Sequence, residues 1–252
     1  MTIADHGHKG RLQRVGGMIA DMLLPPLCLG CGEAVVSHGG VCASCWSGLT
    51  FIERPVCPVF GTPLPPGSPD GTLSAAAIAA PPPFKRLRAP CRYDRTARRL
   101  VTAFKYGDRL ESASLLTRLM VRAGSECIAE SDICVPVPLH WSRMLVRRYN
   151  QAAEMSRAIT AETGLQYVPH ALRRIRATRH QVGLKQAERA LNVTGAFSVP
   201  AHARHQILGK RVLLIDDVYT TGATVTAAAR ALRRFGAGEV NVLVFARVLD
   251  EV

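Results

Sequence analysis

The stretch Val-Leu-Leu-Ile-Asp-Asp-Val-Tyr-Thr-Thr-Gly-Ala-Thr, residues Val212–Thr224, decides the fold of this chain. Its four apolar residues, Val212–Ile215, predict a short buried strand, and two carboxylates, Asp216 and Asp217, follow directly. A turn of small and hydroxyl-bearing residues, Thr220–Thr224, then opens a helix. Open α/β sheets bind ligands at the C-terminal edge of their strands, so the segment predicts both a parallel sheet and a ligand site at its edge.

The turn after the two aspartates has the chemistry of a phosphate cradle. Gly222 permits a positive φ or a close approach of the backbone to a ligand. The exposed N–H groups of such a turn, together with the helix N-terminus behind it, attract anions. Hydroxyls of Thr220, Thr221 and Thr224 can donate to phosphate oxygens. The upstream carboxylates are placed to accept sugar hydroxyls or to hold Mg²⁺ indirectly.

The same segment resembles the motif with which type I phosphoribosyltransferases bind phosphoribosyl pyrophosphate (PRPP). It matches along its whole length: four apolar residues, Asp-Asp, two residues, Thr-Thr-Gly, one residue and Thr. The resemblance implies that Asp216 and Asp217 contact the ribose 2′- and 3′-hydroxyls. The alternative is a capped strand-to-helix turn with surface aspartates. The residues predicted to bind PRPP and its 5′-phosphate are Val218, Tyr219, Thr220, Thr221, Gly222, Ala223 and Thr224.

The second half of the chain alternates strand-like and helix-like segments. Strands are predicted at Ile133–Leu139 and Val240–Val248, and helices at Asn150–Thr163 and Val225–Phe235. Strand–helix–strand order at this spacing predicts an α/β fold with a mostly parallel sheet flanked by helices. This is the fold class of type I phosphoribosyltransferases. No internal repeat is evident along the chain.

The turn after the first predicted strand is the second candidate piece of the site. In type I phosphoribosyltransferases the corresponding turn binds pyrophosphate through backbone amides, which places it at Pro138–Arg143. Guanidinium groups suit phosphate oxygens because their donors form a planar fork. A solvated basic turn is the alternative. The candidates for pyrophosphate contacts are Pro138, Leu139, His140, Arg143, Arg147, Arg148, Asn150 and Gln151.

A polar and basic segment, Arg176–Phe197, is the candidate for a mobile lid. Phosphoribosyl transfer needs a closed site, because a ribose C1 with oxocarbenium character would otherwise react with water. The alternative is an ordinary surface helix with its linkers. The lid candidates for ligand contacts are Gln181, Arg189 and Asn192.

Four of the eight cysteines form two C-x-x-C pairs separated by ten residues. Two such pairs can close a tetrahedral thiolate cage around Zn²⁺, and a cage of four thiolates leaves no position for water, so the metal would be structural. Disulfides are the alternative, but a C-x-x-C disulfide would be redox-active rather than structural. The predicted zinc ligands are Cys28, Cys31, Cys42 and Cys45.

Composition limits the class of protein without naming its partner. Hydrophobic residues make up 48% of the chain and charged residues 20%, which is typical of a globular protein with a sizeable core. No apolar run reaches the roughly 18 residues of a membrane span, and Val15–Leu24 predicts a short amphipathic helix rather than a signal peptide. Cytoplasmic residence is therefore expected. The net charge of +13 fits a nucleic-acid partner, an anionic ligand or simply abundant arginine.

These patterns divide the chain into four predicted parts. An N-terminal amphipathic helix occupies residues 1–26, and a small zinc-ribbon-like module with four cysteine ligands occupies residues 27–60. Residues 61–83, rich in Pro, Gly and Ala, form a linker with little secondary structure. The phosphoribosyltransferase domain occupies residues 84–252.

Zinc knuckles followed by a phosphoribosyltransferase domain resemble the ComF/GntX family, also called competence protein ComFC. One departure concerns cysteines, because family members often show a further C-x-x-C. Here the residue three positions after Cys57 is Phe60, and Ala75–Ala80 lacks cysteine. The stretches that carry the resemblance are CLGC (Cys28–Cys31), CASCW (Cys42–Trp46), ERPVCPVFG (Glu53–Gly61), FKYGDR (Phe104–Arg109), VPVPLHWSRMLVRRYNQ (Val135–Gln151), RATRHQVGLKQAERALNVTGAF (Arg176–Phe197) and LLIDDVYTTGAT (Leu213–Thr224).

The family resemblance implies a role in DNA uptake during natural transformation or in the salvage of DNA-derived bases. It also implies single-stranded DNA or a helicase-like competence protein as a partner. As an enzyme, the protein would use PRPP and Mg²⁺ to transfer ribose 5-phosphate to a nitrogenous acceptor. The alternative is a non-enzymatic DNA- or helicase-binding module that retains the PRPP site. We favour the enzyme.

Overall fold

A computed structural model describes residues 25–106, 111–139, 149–176 and 195–249. The predicted N-terminal helix, the basic residues at 140–148 and the lid candidates at 177–194 lie outside the described residues. Within the described part, no helix is both long enough and apolar enough to cross a bilayer.

The centre of the molecule is a parallel sheet, as the sequence predicts. Its strand order is β1-β8-β7-β3-β4, and β2 pairs with β8 beyond the end of β1. A separate antiparallel pair, β5 and β6, lies outside this sheet. The strands are β1 (Arg86–Arg88), β2 (Cys91–Arg92), β3 (Ile133–Pro136), β4 (Gln166–Tyr167), β5 (Arg173–Arg174), β6 (Phe197–Ser198), β7 (Arg211–Tyr219) and β8 (Glu239–Arg247).

Helices flank the sheet, which confirms the predicted fold class. A 3₁₀ turn, Ala201–Ala203, precedes the seventh helix. The helices are α1 (Ala43–Ser47), α2 (Ala75–Ala79), α3 (Arg95–Tyr106), α4 (Glu111–Ala123), α5 (Ser125–Ala129), α6 (Gln151–Thr163), α7 (Arg204–Ile207) and α8 (Ala223–Arg234).

Alternating side chains of the central strands build two cores, one on each face of the sheet. From β7, Val212 and Leu214 join the core under α8 and the β5–β6 pair, whereas Leu213 and Ile215 join the core under α3, α4 and α6. A strand that is apolar on both faces is the expected form of a parallel strand covered by helices on either side. The C-terminal end of β7 is thereby fixed between two packed layers.

The observed β7 extends beyond its predicted end at Ile215. Its pairing with β8 continues through Asp216, opposite Val244, and Val218, opposite Ala246, to Tyr219. The two carboxylates therefore lie inside the last part of a paired strand rather than after it. Apolar periodicity ends at Ile215, but the backbone hydrogen bonds of the ladder do not depend on side-chain polarity.

The cysteine-rich N-terminal region packs against the outer face of α3. Leu29 and Leu49 share a core with Leu100 and Val101 of that helix. Helix α2 lies within the segment predicted to be a linker, and the four-part division of the chain stays a prediction.

Candidate functional site

The predicted site segments meet around one cavity of about 340 Å³ at the C-terminal ends of β3 and β7. Thr221 does not line this cavity, and its hydroxyl is buried without a hydrogen-bond partner among the described residues. His140, Arg143, Arg147, Arg148, Gln181, Arg189 and Asn192 lie outside the described residues. The predicted residues that line the cavity are Pro138, Leu139, Asn150, Gln151, Asp216, Asp217, Val218, Tyr219, Thr220, Gly222, Ala223 and Thr224.

The two aspartates stand side by side at the cavity wall, each tied to the next backbone amide. Asp216 Oδ1 accepts a hydrogen bond of 2.9 Å from the Asp217 N–H, and Asp217 Oδ1 accepts one of 2.7 Å from the Val218 N–H. Burial, reinforced by the negative charge of Asp217, raises the pKa of the Asp216 carboxyl to about 8. The pair therefore offers adjacent oxygen acceptors in a poorly hydrated setting.

Gly222 shapes the cradle because it combines a left-handed backbone with a very close neighbour. Its φ is 74°, and it caps the N-terminus of α8. A Cβ atom built on it would stand 2.2 Å from Tyr219 Oη, so only glycine fits over the buried tyrosine ring. Ala223 and Thr224, the first residues of α8, line the cavity, so the positive end of this 12-residue helix faces it.

Asn150 and Gln151 hold the backbone of neighbouring segments. Asn150 caps α6 by accepting from the Ala152 N–H at 3.1 Å, and its Nδ2 donates to the Val137 carbonyl at 3.1 Å. Gln151 is buried, and its Nε2 donates to the carbonyl of Lys105 at 3.4 Å. Their predicted pyrophosphate contacts stay predictions.

Lys105 is a cavity residue that sequence reasoning missed. Its Nζ lies 2.5 Å from Asp217 Oδ2, and both side chains are 18% exposed. The start of α6 and the residues just before it hold the end of α3 that carries Lys105. The Gln151 side chain donates to the Lys105 carbonyl, and the Tyr149 hydroxyl donates to the Phe104 carbonyl. Lys105 stands in the FKYGDR stretch, which supplied a family match without assigning this residue a role.

Two arginines and one tyrosine complete the polar wall. Arg98 reaches the cavity from α3, Tyr93 from the segment before it and Arg174 from β5. Arg174 also lies over the ring of Phe197, 5.4 Å from its centroid. With Lys105, the cavity has three cationic side chains against two acidic ones, of which Asp216 has its pKa raised to about 8, and this balance suits a polyanionic ligand with hydroxyl groups. The density of basic residues at 85–99 was the only signal for Arg98.

The four predicted zinc ligands converge into one cluster. All four Sγ atoms lie within 4.8 Å of one another, and Cys31 Sγ is 3.6 Å from Cys42 Sγ. Tetrahedral ligation at about 2.3 Å requires sulfur–sulfur separations of about 3.8 Å, so the geometry fits Zn²⁺. A Cβ on Gly30 would stand 2.8 Å from Cys45 Sγ, which explains the glycine inside this knuckle.

The electrostatics of the cluster also call for a cation. Burial opposes ionisation of Cys28, but N–H donors from Cys42, Cys31 and Gly30 outweigh it and lower its pKa to about 6. Burial and the neighbouring sulfurs raise the pKa of Cys45. Four thiolates at this spacing repel one another unless a metal neutralises them, and zinc would therefore support the ribbon structurally.

Comparisons with known proteins match both halves of this architecture. Family models match a double zinc ribbon domain at residues 19–77 and a phosphoribosyl transferase domain at residues 149–251. DNA utilization protein YhgH of Escherichia coli (strain K12) is 30% identical over 236 residues, covering 90% of this chain and 100% of its own length. Competence protein ComFC of Bacillus subtilis (strain 168) is 28% identical over 212 residues, covering 78% and 79%.

Among solved structures, a glutamine PRPP amidotransferase from B. subtilis is 23% identical, with a TM-score of 0.35, over 55% of this chain and 29% of the other. The similarity to the E. coli protein is the stronger finding, because it covers 90% of this chain and the whole length of the relative. The chain belongs to the ComF/GntX family, in which a zinc-ribbon module precedes a phosphoribosyltransferase domain.

Proposed function

We propose that this chain binds PRPP with Mg²⁺ in the cavity at the ends of β3 and β7 and transfers its phosphoribosyl group to a nitrogenous acceptor. The observation that carries the proposal is the arrangement of Asp216, Asp217 and the Gly222 cradle on one wall. Paired carboxylates beside a helix N-terminus suit a ligand that has vicinal hydroxyls next to a phosphate.

Each wall of the cavity has a defined task in this proposal. Asp216 and Asp217 accept the ribose hydroxyls, and the cradle at residues 220–224 binds the 5′-phosphate. The turn containing Pro138 and Leu139 is the proposed pyrophosphate site. Carboxylate oxygens are ligands that Mg²⁺ prefers, so Asp216 and Asp217 would help to hold it beside the ligand; when bound, it would neutralise charge on the leaving group.

Transfer breaks the bond between ribose C1 and a pyrophosphate oxygen and forms a bond between C1 and the acceptor nitrogen. Pyrophosphate leaves with the bonding electrons, and the proton of the acceptor nitrogen passes to the departing pyrophosphate or to water. Lys105 and Arg98 supply positive charge at the cavity, where it would stabilise the charge that develops on pyrophosphate. The segment Arg176–Phe197 is the proposed lid that would exclude water from C1.

The names of the relatives add a cellular context. The E. coli relative is a DNA utilization protein and the B. subtilis relative a competence protein. We propose that the present chain acts likewise in DNA uptake or in the salvage of DNA-derived bases. Thiolate ligation of zinc requires reduced cysteines, which supports residence in the cytoplasm.

A PRPP-binding module without turnover is the second candidate function. The observation in its favour is a basic face on α3 next to the first zinc knuckle, where Arg95, Arg98 and Arg99 line a shallow cavity with Leu29 and Gly30. The phosphates of a nucleic acid bind such surfaces through charge, which suits single-stranded DNA as the partner. A helicase-like protein is the other proposed partner.

Titration calorimetry with PRPP and Mg²⁺ tests binding, and the Asp216→Asn/Asp217→Asn double variant should lose at least about 100-fold in affinity, or about 2.8 kcal/mol. Unchanged affinity in that variant would overturn the proposed site. Isotope-labelled PRPP with a panel of nucleobases then separates the two candidates. Pyrophosphate release that depends on one base supports the transferase. Binding without release, together with salt-sensitive DNA binding, supports the module.

A further inference from the structure

The double zinc ribbon match implies two metal sites, but the matched range holds too few cysteines and histidines for both. Two tetrahedral sites built from these ligands need eight, whereas residues 19–77 contain five cysteines and one histidine, His38. Among the described residues, one group of three or more possible metal ligands is present, and it is the cluster of the first ribbon. Within residues 19–77, Cys57 is the one cysteine outside this cluster.

The chain around Cys57 nevertheless repeats the first ribbon bond by bond. In the first knuckle, Cys28 N–H donates to the Glu33 carbonyl and Gly32 N–H to the Cys28 carbonyl, at 2.7 and 3.0 Å. In the second, Cys57 N–H donates to the Thr62 carbonyl and Gly61 N–H to the Cys57 carbonyl, both at 2.8 Å. Each knuckle is closed by an antiparallel bridge, Leu27 to Ala34 and Val56 to Pro63, and each glycine has positive φ.

The helical halves of the two ribbons correspond as well. Cys42 caps α1 with φ −70° and ψ 164°, and Ser74 caps α2 with φ −69° and ψ 153°. Both helices have five residues, and the third residue of each, Cys45 and Ala77, is buried. The four ligand positions of the first ribbon, Cys28, Cys31, Cys42 and Cys45, are therefore Cys57, Phe60, Ser74 and Ala77 in the second.

These four side chains do not fit a zinc ion. Phenylalanine and alanine offer no ligand atom, and Cys57 Sγ already accepts hydrogen bonds of 3.4 Å from both the N–H and the hydroxyl of Ser74. The thiol and hydroxyl thus close the second ribbon by a direct contact at the place where the first ribbon has its cysteine cluster.

A second set of contacts replaces the missing metal by tying this knuckle to the large sheet. Three successive carbonyls of the knuckle, those of Pro58, Val59 and Phe60, accept hydrogen bonds from residues of the sheet. Arg88 Nη1 donates to Pro58 at 3.1 Å, the Leu87 N–H donates to Val59 at 2.7 Å, and Arg247 Nη1 donates to Phe60. The next residue, Gly61, is so close to β1 that a Cβ would stand 2.6 Å from the Leu87 carbonyl.

The Phe60 ring continues this contact to the cradle. It lies 5.8 Å from the Phe84 ring and 6.5 Å from the Tyr219 ring, centroid to centroid. Arg247, the donor to Phe60, also contacts the Tyr219 ring, with its guanidinium 5.5 Å from the ring centroid. Tyr219 in turn stands directly beneath Gly222.

We propose that the second ribbon is a metal-free copy of the first, in which Phe60 has changed from a metal ligand position to an anchor that holds Tyr219 under the cradle. Phe60 and Arg247 are positioning residues for the ligand site. The part of this inference that concerns ligand affinity rests on the proposed function, whereas the part that concerns metal content does not.

Elemental analysis of the full-length protein tests the metal content. We expect about one zinc per chain in the wild type and in Cys57→Ser, and a loss of zinc in Cys28→Ser. About two zinc ions per chain in the wild type, or zinc loss in Cys57→Ser comparable to that in Cys28→Ser, would overturn the proposal. This measurement needs no PRPP, so it stands even if the cavity binds another ligand.

Substitution of the anchor tests its positioning role. Phe60→Ala should keep its zinc, lower the melting temperature by about 5 °C, and weaken Mg²⁺–PRPP binding about tenfold. Phe60→Leu should recover most of both losses, and it replaces the alanine variant if that chain does not fold. Val36→Ala, at a fully exposed position of the first ribbon, is the control. Melting and affinity changes in Phe60→Ala no larger than those of this control would overturn the proposal.

Discussion

The first ribbon and the phosphate cradle are both built to hold charge, but they obtain their order from different sources. The ribbon brings four sulfurs within 4.8 Å, and its frame consists of one isolated bridge and the five-residue helix α1. The cradle stands at the end of β7, whose two neighbours β3 and β8 are themselves covered by helices. We therefore expect the ribbon to need zinc to fold, and the cradle to keep its shape without a ligand because packed layers hold it from both sides.

This difference predicts that each region can be broken without the other. In the ribbon, metal binding and folding are a single equilibrium, because like charges at this spacing are not stable alone. In the cradle, binding energy is not spent on ordering the backbone, since Gly222 and Tyr219 are already in contact.

The largest expected effect is the loss of metal from the first ribbon. Cys28→Ser removes a thiolate that accepts N–H bonds from Gly30 and Cys42, and zinc should fall from about one to below about 0.1 per chain. Elemental analysis measures this directly. The sheet should still unfold cooperatively in urea, because its two cores lie beside β7 and β8.

Cys127→Ala is the matched control for that variant, since Cys127 is a buried cysteine of the core under α4 rather than of the cluster. It should keep its zinc and lose some stability. Zinc retained in Cys28→Ser, or loss of the cooperative sheet transition together with the metal, would contradict the contrast between the two regions.

Sequence alone predicted the cradle better than its surroundings. The run Val212–Thr224 carries a strand signal, a glycine and three hydroxyls in consecutive positions, so local chemistry identifies it. Lys105 was missed because its partner Asp217 is more than one hundred residues away, and a single lysine near the end of a helix has no distinctive local pattern. Arg174 was missed because it is one of several basic residues between 173 and 189, and nothing in the local pattern singles it out.

The internal repeat of the ribbons was also missed, and the expectation of no repeat is wrong. A search for repeated cysteines fails here, because Cys57, the counterpart of Cys28, is the one ligand position of the second ribbon that is a cysteine. What the two ribbons share is a set of backbone hydrogen bonds and glycine dihedral angles, and these need few specific side chains. The fold class and the cysteine cluster were predicted because their signals are dense along the chain.

The next largest effect should come from Gly222→Ala, which tests whether the cradle is as rigid as its contacts indicate. The new methyl group combines a left-handed φ of 74° with a clash against Tyr219, and we expect a loss of about 3 kcal/mol in unfolding free energy. Gly164→Ala has nearly the same φ, 75°, and no atom within 4 Å of the new Cβ, so it should cost only about 1 kcal/mol.

Urea denaturation gives both values, and their difference isolates the contact with Tyr219. Zinc content should be unchanged in both variants, since neither residue touches the cluster. Equal losses in the two variants would mean that the tyrosine moves freely and that the cradle is not pre-formed.

A smaller effect concerns the pH dependence of stability without ligand. The pKa of Asp216 is raised to about 8, while an aspartate in an unfolded chain has a pKa of about 3.9. Between these values the native state binds a proton that the unfolded state has lost, so stability should fall as pH rises from about 5 to 6.5. We expect a fall of roughly 2 kcal/mol that is absent in Asp216→Asn.

Asp132→Asn is the control for this profile because its shift has the opposite sign. Hydrogen bonds from Arg211 lower the pKa of Asp132 to about 2, so its contribution is lost only as pH falls from about 4 towards 2. This variant should be less stable by a constant amount from pH 5 to 8. A pH profile of Asp216→Asn that parallels the wild type would show that Asp216 ionises normally.

The smallest effect we predict is that of Lys105→Gln on ligand affinity. This variant tests whether the Lys105 ammonium contacts PRPP or only neutralises the Asp217 carboxylate. Lys105 neutralises Asp217 across 2.5 Å in the absence of ligand, so its removal leaves two neighbouring carboxylates without their nearest cation. If the lysine also faces the leaving pyrophosphate, Mg²⁺–PRPP binding should weaken about tenfold, or about 1.4 kcal/mol. Lys85→Gln is the control, since Lys85 pairs with Glu130 and Glu239 away from the cavity and should leave the affinity unchanged.

Calorimetry at several Mg²⁺ concentrations distinguishes the two roles of Lys105. A lysine that only balances Asp217 would be replaced by added Mg²⁺, and the affinity loss would vanish. A lysine that contacts pyrophosphate would leave a tenfold deficit at saturating Mg²⁺, because the metal and the ammonium would then act on different oxygens of the ligand.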